Sequence, residues 1–176
     1  MGIWRAALIA AGLAVTSPAL AAVEASGPAG FTVVETAHVA AAPDKVFAAL
    51  LTPARWWSSE HTYSHDAANL SLEPRAGGCW CERLPGGGSA EHLRVVYIAP
   101  GQMLRLRGPL GPLQSMPDDG ILTWTVTPAA GGAEVKLSYV VWGDPAAGLP
   151  ALAGPVDNVL GQQVARLKAM IETGKP

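Results

Sequence analysis

Six strand-like segments follow one another through the middle of this chain, and no helical pattern separates them. Clusters of Pro, Gly and Asp bound them at 69–73, 78–84, 91–98, 103–107, 120–127 and 134–142. Parallel strands need crossover connections of a dozen or more residues, usually helical, so these segments predict an antiparallel meander of hairpins. With helical patterns on either side of the meander, the predicted fold class is α+β.

The helical patterns come early and at the very end. After an alternating strand at 31–39, Pro43 opens a helix that Thr52-Pro53 ends, and a second short helix is predicted to carry Arg55, Trp56 and Trp57. A single long amphipathic helix at 155–173 closes the chain. A strongly curved sheet of six to seven antiparallel strands around one such helix leaves a concave apolar space, where small ligands bind.

The first 21 residues have the pattern of a secretory signal, with Arg5, an apolar run at 6–15 and Ala-Leu-Ala at 19–21. We therefore expect an exported protein, periplasmic or secreted, with a linker at 22–30 and one domain at 31–173. An uncleaved N-terminal anchor is the alternative. After cleavage, no stretch reaches the roughly 20 apolar residues that span a bilayer, so we predict no stable membrane insertion.

Charge and composition favour a small apolar partner. Cleavage would remove Arg5, one of 12 basic residues, and none of the 14 acidic ones, so the net charge would change from −2 to about −3. Basic residues are scattered, which argues against nucleic acid as a partner. Neither a phosphate loop, a dinucleotide fingerprint nor a Gly-x-Ser-x-Gly motif occurs, and we predict no cofactor. The oligomeric state is left open.

Three motifs in order resemble a known superfamily: Ala-Pro-Asp-Lys-Val-Phe at 42–47, Pro-Ala-Arg-Trp-Trp at 53–57 and Pro-Arg-Ala-Gly-Gly-Cys-Trp-Cys-Glu at 74–82. Together with the closing helix they look like the START-like (SRPBCC) superfamily, and most like the group named for activator of heat shock protein 90 ATPase homologues, often labelled polyketide cyclase-like. The resemblance covers roughly 31–173. It implies a helix-grip fold with an apolar cavity under the long helix, and it carries over no universal catalytic residue.

Aromatic and aliphatic side chains are the candidate ligand contacts. Trp56 and Trp57 could line the mouth of a cavity or anchor the short helix in the core. Further candidates are predicted on strands, where core and cavity lining overlap: Trp80, Leu104, Leu106, Trp124, Leu137 and Tyr139. The weak catalytic candidates are His92, Glu82 and Tyr139, because a hairpin through the Gly-rich turn would bring His92 near Glu82.

The chain has two cysteines, Cys79 and Cys81, which lie two residues apart on one predicted strand. Their side chains therefore face one side of the sheet, while Trp80 and Glu82 face the other. Export favours a disulfide. Residues two apart on an extended strand lie near or beyond the Cα separation that a disulfide tolerates, so a bridge would be strained and redox-labile or would need a bulge. The alternative is two buried thiols packed as small hydrophobes.

The histidines at 61 and 65 raise the question of a metal. On a helix, His61 and His65 could share an ion, but the surrounding Ser and Thr residues favour loop histidines in solvent. A bolder hypothesis joins Cys79, Cys81 and His61 into a zinc or copper site.

Three functions follow from these features. The first is an exported protein that holds a hydrophobic ligand, a lipid or an aromatic molecule, between the sheet and the last helix. The second is a cyclase- or hydrolase-type enzyme, which predicts a buried acid or base at the cavity. The third is a protein-interaction module of the ATPase-activator type, which predicts an exposed apolar patch instead.

Overall fold

The computed structural model describes residues 22–176, so the predicted signal at 1–21 lies outside the described residues. Eight strands form one antiparallel sheet in the order β1-β2-β8-β7-β6-β5-β4-β3. Their bounds are β1 Ala22–Gly27, β2 Gly30–Val39, β3 Leu70–Leu72, β4 Cys79–Arg83, β5 Ser89–Ala99, β6 Met103–Arg107, β7 Asp118–Ala129 and β8 Gly132–Gly143. The α+β class and the meander are confirmed, since each strand from β3 to β7 pairs with the next one along the chain.

The sheet has one strand more than the predicted maximum of seven. Part of the predicted linker at 22–30 is strand β1, which pairs with β2 through a tight turn that brings Gly27 opposite Gly30. From Val23 to Ser26 the side chains of β1 are exposed or nearly so. Alternating burial, the main sequence signal for a strand, is therefore missing from β1.

Two α-helices flank the sheet. Helix α1 spans Pro43–Leu50, and helix α2 spans Ala153–Thr173, two residues longer at its start than predicted. The apolar face of α2 (Leu160, Val164, Leu167 and Met170) is buried in the core with the inward side chains of the strands. Within residues 22–176, no helix is both long and apolar enough to cross a membrane.

The second short helix is present but shorter than predicted, and it holds Arg55 without Trp56 and Trp57. It is a single 3₁₀ turn at Pro53–Arg55, and Trp56 and Trp57 follow it as buried side chains. Two hydrogen bonds fix this segment against α2: the backbone N–H of Ser58 donates to Gln163, and Arg166 donates to the carbonyl of Trp56. The prolines and the short polar residues that follow favour such turns over a continuous α-helix.

A bulge interrupts the pairing of β4 with β5. Trp80 lies opposite Leu93 and Cys81 lies opposite Glu91, so His92 is left without a register partner on β4. Because of this extra residue, His92 and Leu93 are both buried, although neighbours on a regular strand face opposite sides.

Candidate functional site

A cavity of about 320 Å³ lies between the sheet and the first half of α2. Its walls come from that half of the helix, from the loops at 57–63 and 110–113, and from inward side chains of β4, β5 and β8. The lining residues are Trp57, Glu60, His61, Thr62, Tyr63, Leu70, Trp80, His92, Leu110, Gly111, Pro112, Leu113, Tyr139, Leu152, Pro155, Val156, Val159 and Leu160. Most are apolar, which suits a hydrophobic occupant.

Tryptophans form one wall and the core behind it. The rings of Trp57 and Trp80 meet edge to face with centroids 5.0 Å apart, and both side chains line the cavity. Trp56 packs against both of them and against Trp124, at centroid distances from 5.6 to 6.4 Å. Such edge-to-face contacts add to the stabilisation that this wall gains from burial.

A buried histidine–carboxylate pair lies beside the tryptophans. The Nε2 atom of His92 is 2.8 Å from Oε2 of Glu82, and both side chains are almost fully buried. The β4–β5 bulge is what turns His92 inward to the face that Glu82 occupies. The predicted proximity of these two residues is therefore observed. It depends on the bulge, because a regular hairpin would not turn His92 toward Glu82.

Glu82 accepts further hydrogen bonds from the loop that precedes β3. The backbone N–H groups of Tyr63 and Ser64 both donate to its carboxylate. Burial by itself raises the pKa of Glu82, but the hydrogen bonds from Ser64, His92 and Tyr63 outweigh it and hold the pKa below its usual value. Glu82 is therefore ionised at neutral pH, and its carboxylate accepts a hydrogen bond from the N–H at Nε2 of His92.

Tyr63 covers this pair from the solvent side. Its ring stacks on His92 with centroids 5.5 Å apart and planes 9° from parallel. Its hydroxyl donates to the carbonyl of Gly111 across the cavity mouth, at 2.9 Å. Tyr63 thus ties the 57–63 loop to the 110–113 loop.

Tyr139 holds the 110–113 loop from the inside. Its hydroxyl donates to the carbonyl of Gly108 and accepts the N–H of Leu110, and the side chain is fully buried. Burial raises the pKa of Tyr139 above its usual range. Gly120 leaves the space for this ring, since a Cβ there would lie 2.6 Å from it. With its hydroxyl already engaged twice, Tyr139 is suited to positioning a wall rather than to proton transfer.

The candidate ligand contacts divide into two groups. Trp57, Trp80 and Tyr139 line the cavity, as does the catalytic candidate His92. Buried core positions behind the wall are taken by Trp56, Leu104, Leu106, Trp124 and Leu137. Ligand contact by any of these residues stays a prediction. The 110–113 loop was not predicted to contribute, because a Gly-Pro-rich stretch between strands carries no apolar periodicity.

The cysteines form a disulfide with a Cα–Cα distance of 5.3 Å. A bulge, one of the two alternatives predicted for such a bridge, lies between Trp80 and Cys81. Both cysteines are half-buried on the outer face of β4, opposite the cavity, so they are not two buried thiols in the core.

The hypothesis of a metal site is not supported by this arrangement. Among residues 22–176, the side chains that gather around the bridge as possible ligands are Cys79, Cys81 and Glu91, without His61, and the two sulfurs are bonded to each other. His61 ends a 3₁₀ turn and lines the cavity, whereas His65 is exposed in a loop. The helical spacing needed for a shared ion does not form.

A second buried carboxylate, Glu35, lies under α2. It is on the inward face of β2 and is 1 % exposed. Burial, the charge of Asp157 and a hydrogen bond with Asp157 raise its pKa from 4.5 to about 7. A Cβ at Gly161 would lie 3.0 Å from Oε1 of Glu35, so the helix passes closely over the carboxyl group.

Comparisons with known structures agree with this architecture. A protein of Rhizobium leguminosarum is 20% identical and has a TM-score of 0.61, with 89% of this chain and 99% of that chain covered. CalU16 from Micromonospora echinospora is 15% identical with a TM-score of 0.61, covering 91% and 87%. The Aha1 dimer from Colwellia psychrerythraea is 15% identical with a TM-score of 0.58, covering 82% and 98%. At these identities the likeness shows the fold alone.

No curated protein matches this chain. Residues 30–172, nearly the whole of the described part, match the family described as "Polyketide cyclase / dehydrase and lipid transport". The predicted START-like resemblance is thereby confirmed, and the chain belongs to this polyketide cyclase, dehydrase and lipid transport family.

Proposed function

We propose that this chain is an exported protein that binds one small hydrophobic molecule, a lipid or an aromatic compound, in the cavity under α2. The observation that carries the proposal is the cavity itself, about 320 Å³ in volume and lined mainly by apolar side chains. That volume is at the lower end of the range for small-molecule sites. Export rests on the sequence pattern of residues 1–21 and on the disulfide, which oxidising compartments favour.

The family description supports an apolar ligand. The family name includes lipid transport and polyketide cyclases, both of which act on largely apolar molecules. Of the polar side chains at the wall, His92 and Tyr139 are already engaged in hydrogen bonds within the protein. Apolar burial would therefore supply most of the binding free energy.

A cavity-filling variant tests this function. We expect Val159→Trp to abolish the thermal stabilisation that members of a fatty-acid and polycyclic-aromatic panel give to the wild type. Val140→Trp is the matched control, because Val140 is on the exposed face of β8. Native mass spectrometry of protein from its own host would identify a co-purifying ligand. No stabilisation by any compound, together with no bound ligand, would contradict the proposal.

A cyclase- or hydrolase-type enzyme is the second candidate, and the buried His92–Glu82 pair favours it. Ionised Glu82 accepts a hydrogen bond from Nε2 of His92, and the other ring nitrogen, Nδ1, has no protein partner within residues 22–176. A histidine that a carboxylate orients through one ring nitrogen, with the other nitrogen unpartnered, has the arrangement of a general base. The test is to incubate the bound host ligand with wild type and with His92→Gln. A mass change that only the wild type produces would indicate catalysis. If neither protein changes the mass of the ligand, the enzyme function is contradicted and only the binding function remains.

A further inference from the structure

The Cys79–Cys81 bridge is on the surface that the cavity does not use. Both cysteines are half-buried on the outer face of β4, while Trp80 and Glu82 between and beside them face inward. The neighbouring edge strand β3 has only three residues, and it places the small, exposed Ser71 opposite Cys81. Solvent molecules can therefore reach the bridge from outside the sheet.

The disulfide contributes little to the stability of the fold. The entropy that a cross-link removes from the unfolded chain grows with the number of residues in the closed loop, and this bridge joins residues only two apart. Strand pairing on both sides already holds β4 in place. Stabilisation of the fold therefore does not account for a disulfide at this position.

An ion pair flanks the two sulfur atoms. Glu91 and Arg94 lie opposite Cys81 and Cys79 on β5, and the Arg94 guanidinium binds the Glu91 carboxylate. One carboxylate oxygen of Glu91 is within 4.8 Å of both sulfurs. A thiolate released beside that carboxylate would be repelled, but Arg94 offsets the negative charge. The surroundings therefore tolerate the anion that thiol–disulfide exchange produces.

We propose that Cys79 and Cys81 form a redox-active site that exchanges with a dithiol partner. A partner thiolate attacks one sulfur, the Cys79–Cys81 bond breaks, and the other sulfur leaves with the electron pair and takes up a proton. The partner's second thiol then resolves the mixed disulfide. In sum, two electrons and two protons reduce the bridge to two thiols, and the partner dithiol is oxidised to a disulfide.

The test is the redox equilibrium of the folded full-length chain in glutathione buffers, measured by acid quenching, thiol alkylation and mass spectrometry. We expect the reduced fraction to rise from below about a tenth to above about nine tenths between the poise of secretory compartments and that of the cytosol. Circular dichroism should stay unchanged. A bridge that remains oxidised throughout, or that is reduced only as the protein unfolds, would overturn the proposal.

Two variants test the role of the ion pair. We expect Arg94→Gln to slow reduction by dithiothreitol about twofold, because Glu91 is left unpaired, and Glu91→Gln to speed it about twofold. Lys136→Gln is the control, since it removes a positive charge from an exposed position on β8, four strands away. Equal rates in the Arg94 and Glu91 variants would overturn the assigned role of the pair.

The double variant Cys79→Ser/Cys81→Ser separates a redox role from a structural one. We expect it to fold, with a circular dichroism spectrum like that of the wild type. A variant that fails to fold would show that the bridge is a structural staple and would overturn the proposal.

Discussion

Two buried glutamates on the inner face of one sheet have opposite environments. Glu82 on β4 accepts hydrogen bonds from two backbone N–H groups and from His92, and its pKa is lowered. Glu35 on β2 is equally buried but faces Asp157, has no partner for Oε1 among the described residues, and has a pKa raised to about 7. Burial is common to both, so the neighbouring groups decide which form is stable.

The difference has a structural meaning. At Glu82, a loop and a bulge converge on the carboxylate, so an ionised group organises the mouth of the cavity. At Glu35, a helix passes over the carboxyl group at Gly161 and brings a second acid. The ionised carboxylate of Glu82 therefore stabilises the loop at the cavity mouth. At the contact between β2 and α2, the protonated form of Glu35 is the more stable one.

Removing the carboxylate at Glu82 has the largest expected effect. Glu82→Ala leaves the Tyr63 and Ser64 N–H groups and His92 without their acceptor, so we expect a loss of about 3 to 5 kcal/mol in the free energy of unfolding. Urea denaturation at pH 7.5 measures it. Glu134→Ala, at an exposed position on β8, should change the free energy by less than about 0.5 kcal/mol. A loss below about 1 kcal/mol at Glu82 would show that the network does not hold the loop.

The pH dependence of stability should differ in sign between the two sites. Because the folded pKa of Glu35 lies above its unfolded value of 4.5, the folded state binds more protons between pH 4.5 and about 7. Its contribution to stability is therefore lost as the pH rises through that window, by about 3 kcal/mol at most. Glu82, with its lowered pKa, contributes stability above its unfolded pKa that is lost as the pH falls.

Glu35→Gln isolates the first of these slopes. In this variant, urea denaturation from pH 4.5 to 8 should show a flatter profile than in the wild type, and the variant should be relatively more stable at pH 8. The loss of stability as the pH falls below 4.5 should remain, since Glu82 is intact. An unchanged slope between pH 4.5 and 7 would mean that Glu35 does not titrate in that window.

The environments of Glu82 and Glu35 could be predicted only in part from the sequence. The hairpin through the Gly-rich turn predicted that His92 approaches Glu82, but alternation alone would turn His92 outward, and the bulge depends on how β4 and β5 pair in three dimensions. Glu35 shares its parity on β2 with Phe31, Val33 and Ala37, so an inward position was implied. That a glycine of α2 would lie over it, with Asp157 alongside, depends on helix packing that no local pattern encodes.

Gly161 gives the smallest and sharpest test of the β2–α2 side. In a helix interior, Gly→Ala stabilises by about 1 kcal/mol, but here the new Cβ would lie 3.0 Å from Oε1 of Glu35. We expect Gly161→Ala alone to change the free energy of unfolding by less than about 0.5 kcal/mol, because displacement of the Glu35 carboxyl offsets the gain.

The same substitution in a Glu35→Ala background should give the full gain of about 1 kcal/mol, since nothing then opposes the methyl group. The difference between the two backgrounds is the coupling between helix and carboxyl, measured by a double-mutant cycle at pH 5, where Glu35 is mostly protonated. At pH 8 the coupling should grow, because an ionised carboxylate held beside Asp157 has fewer favourable positions to move to. Equal gains in both backgrounds at both pH values would show that α2 and Glu35 are independent, and the contrast with Glu82 would then be one of hydrogen bonding alone.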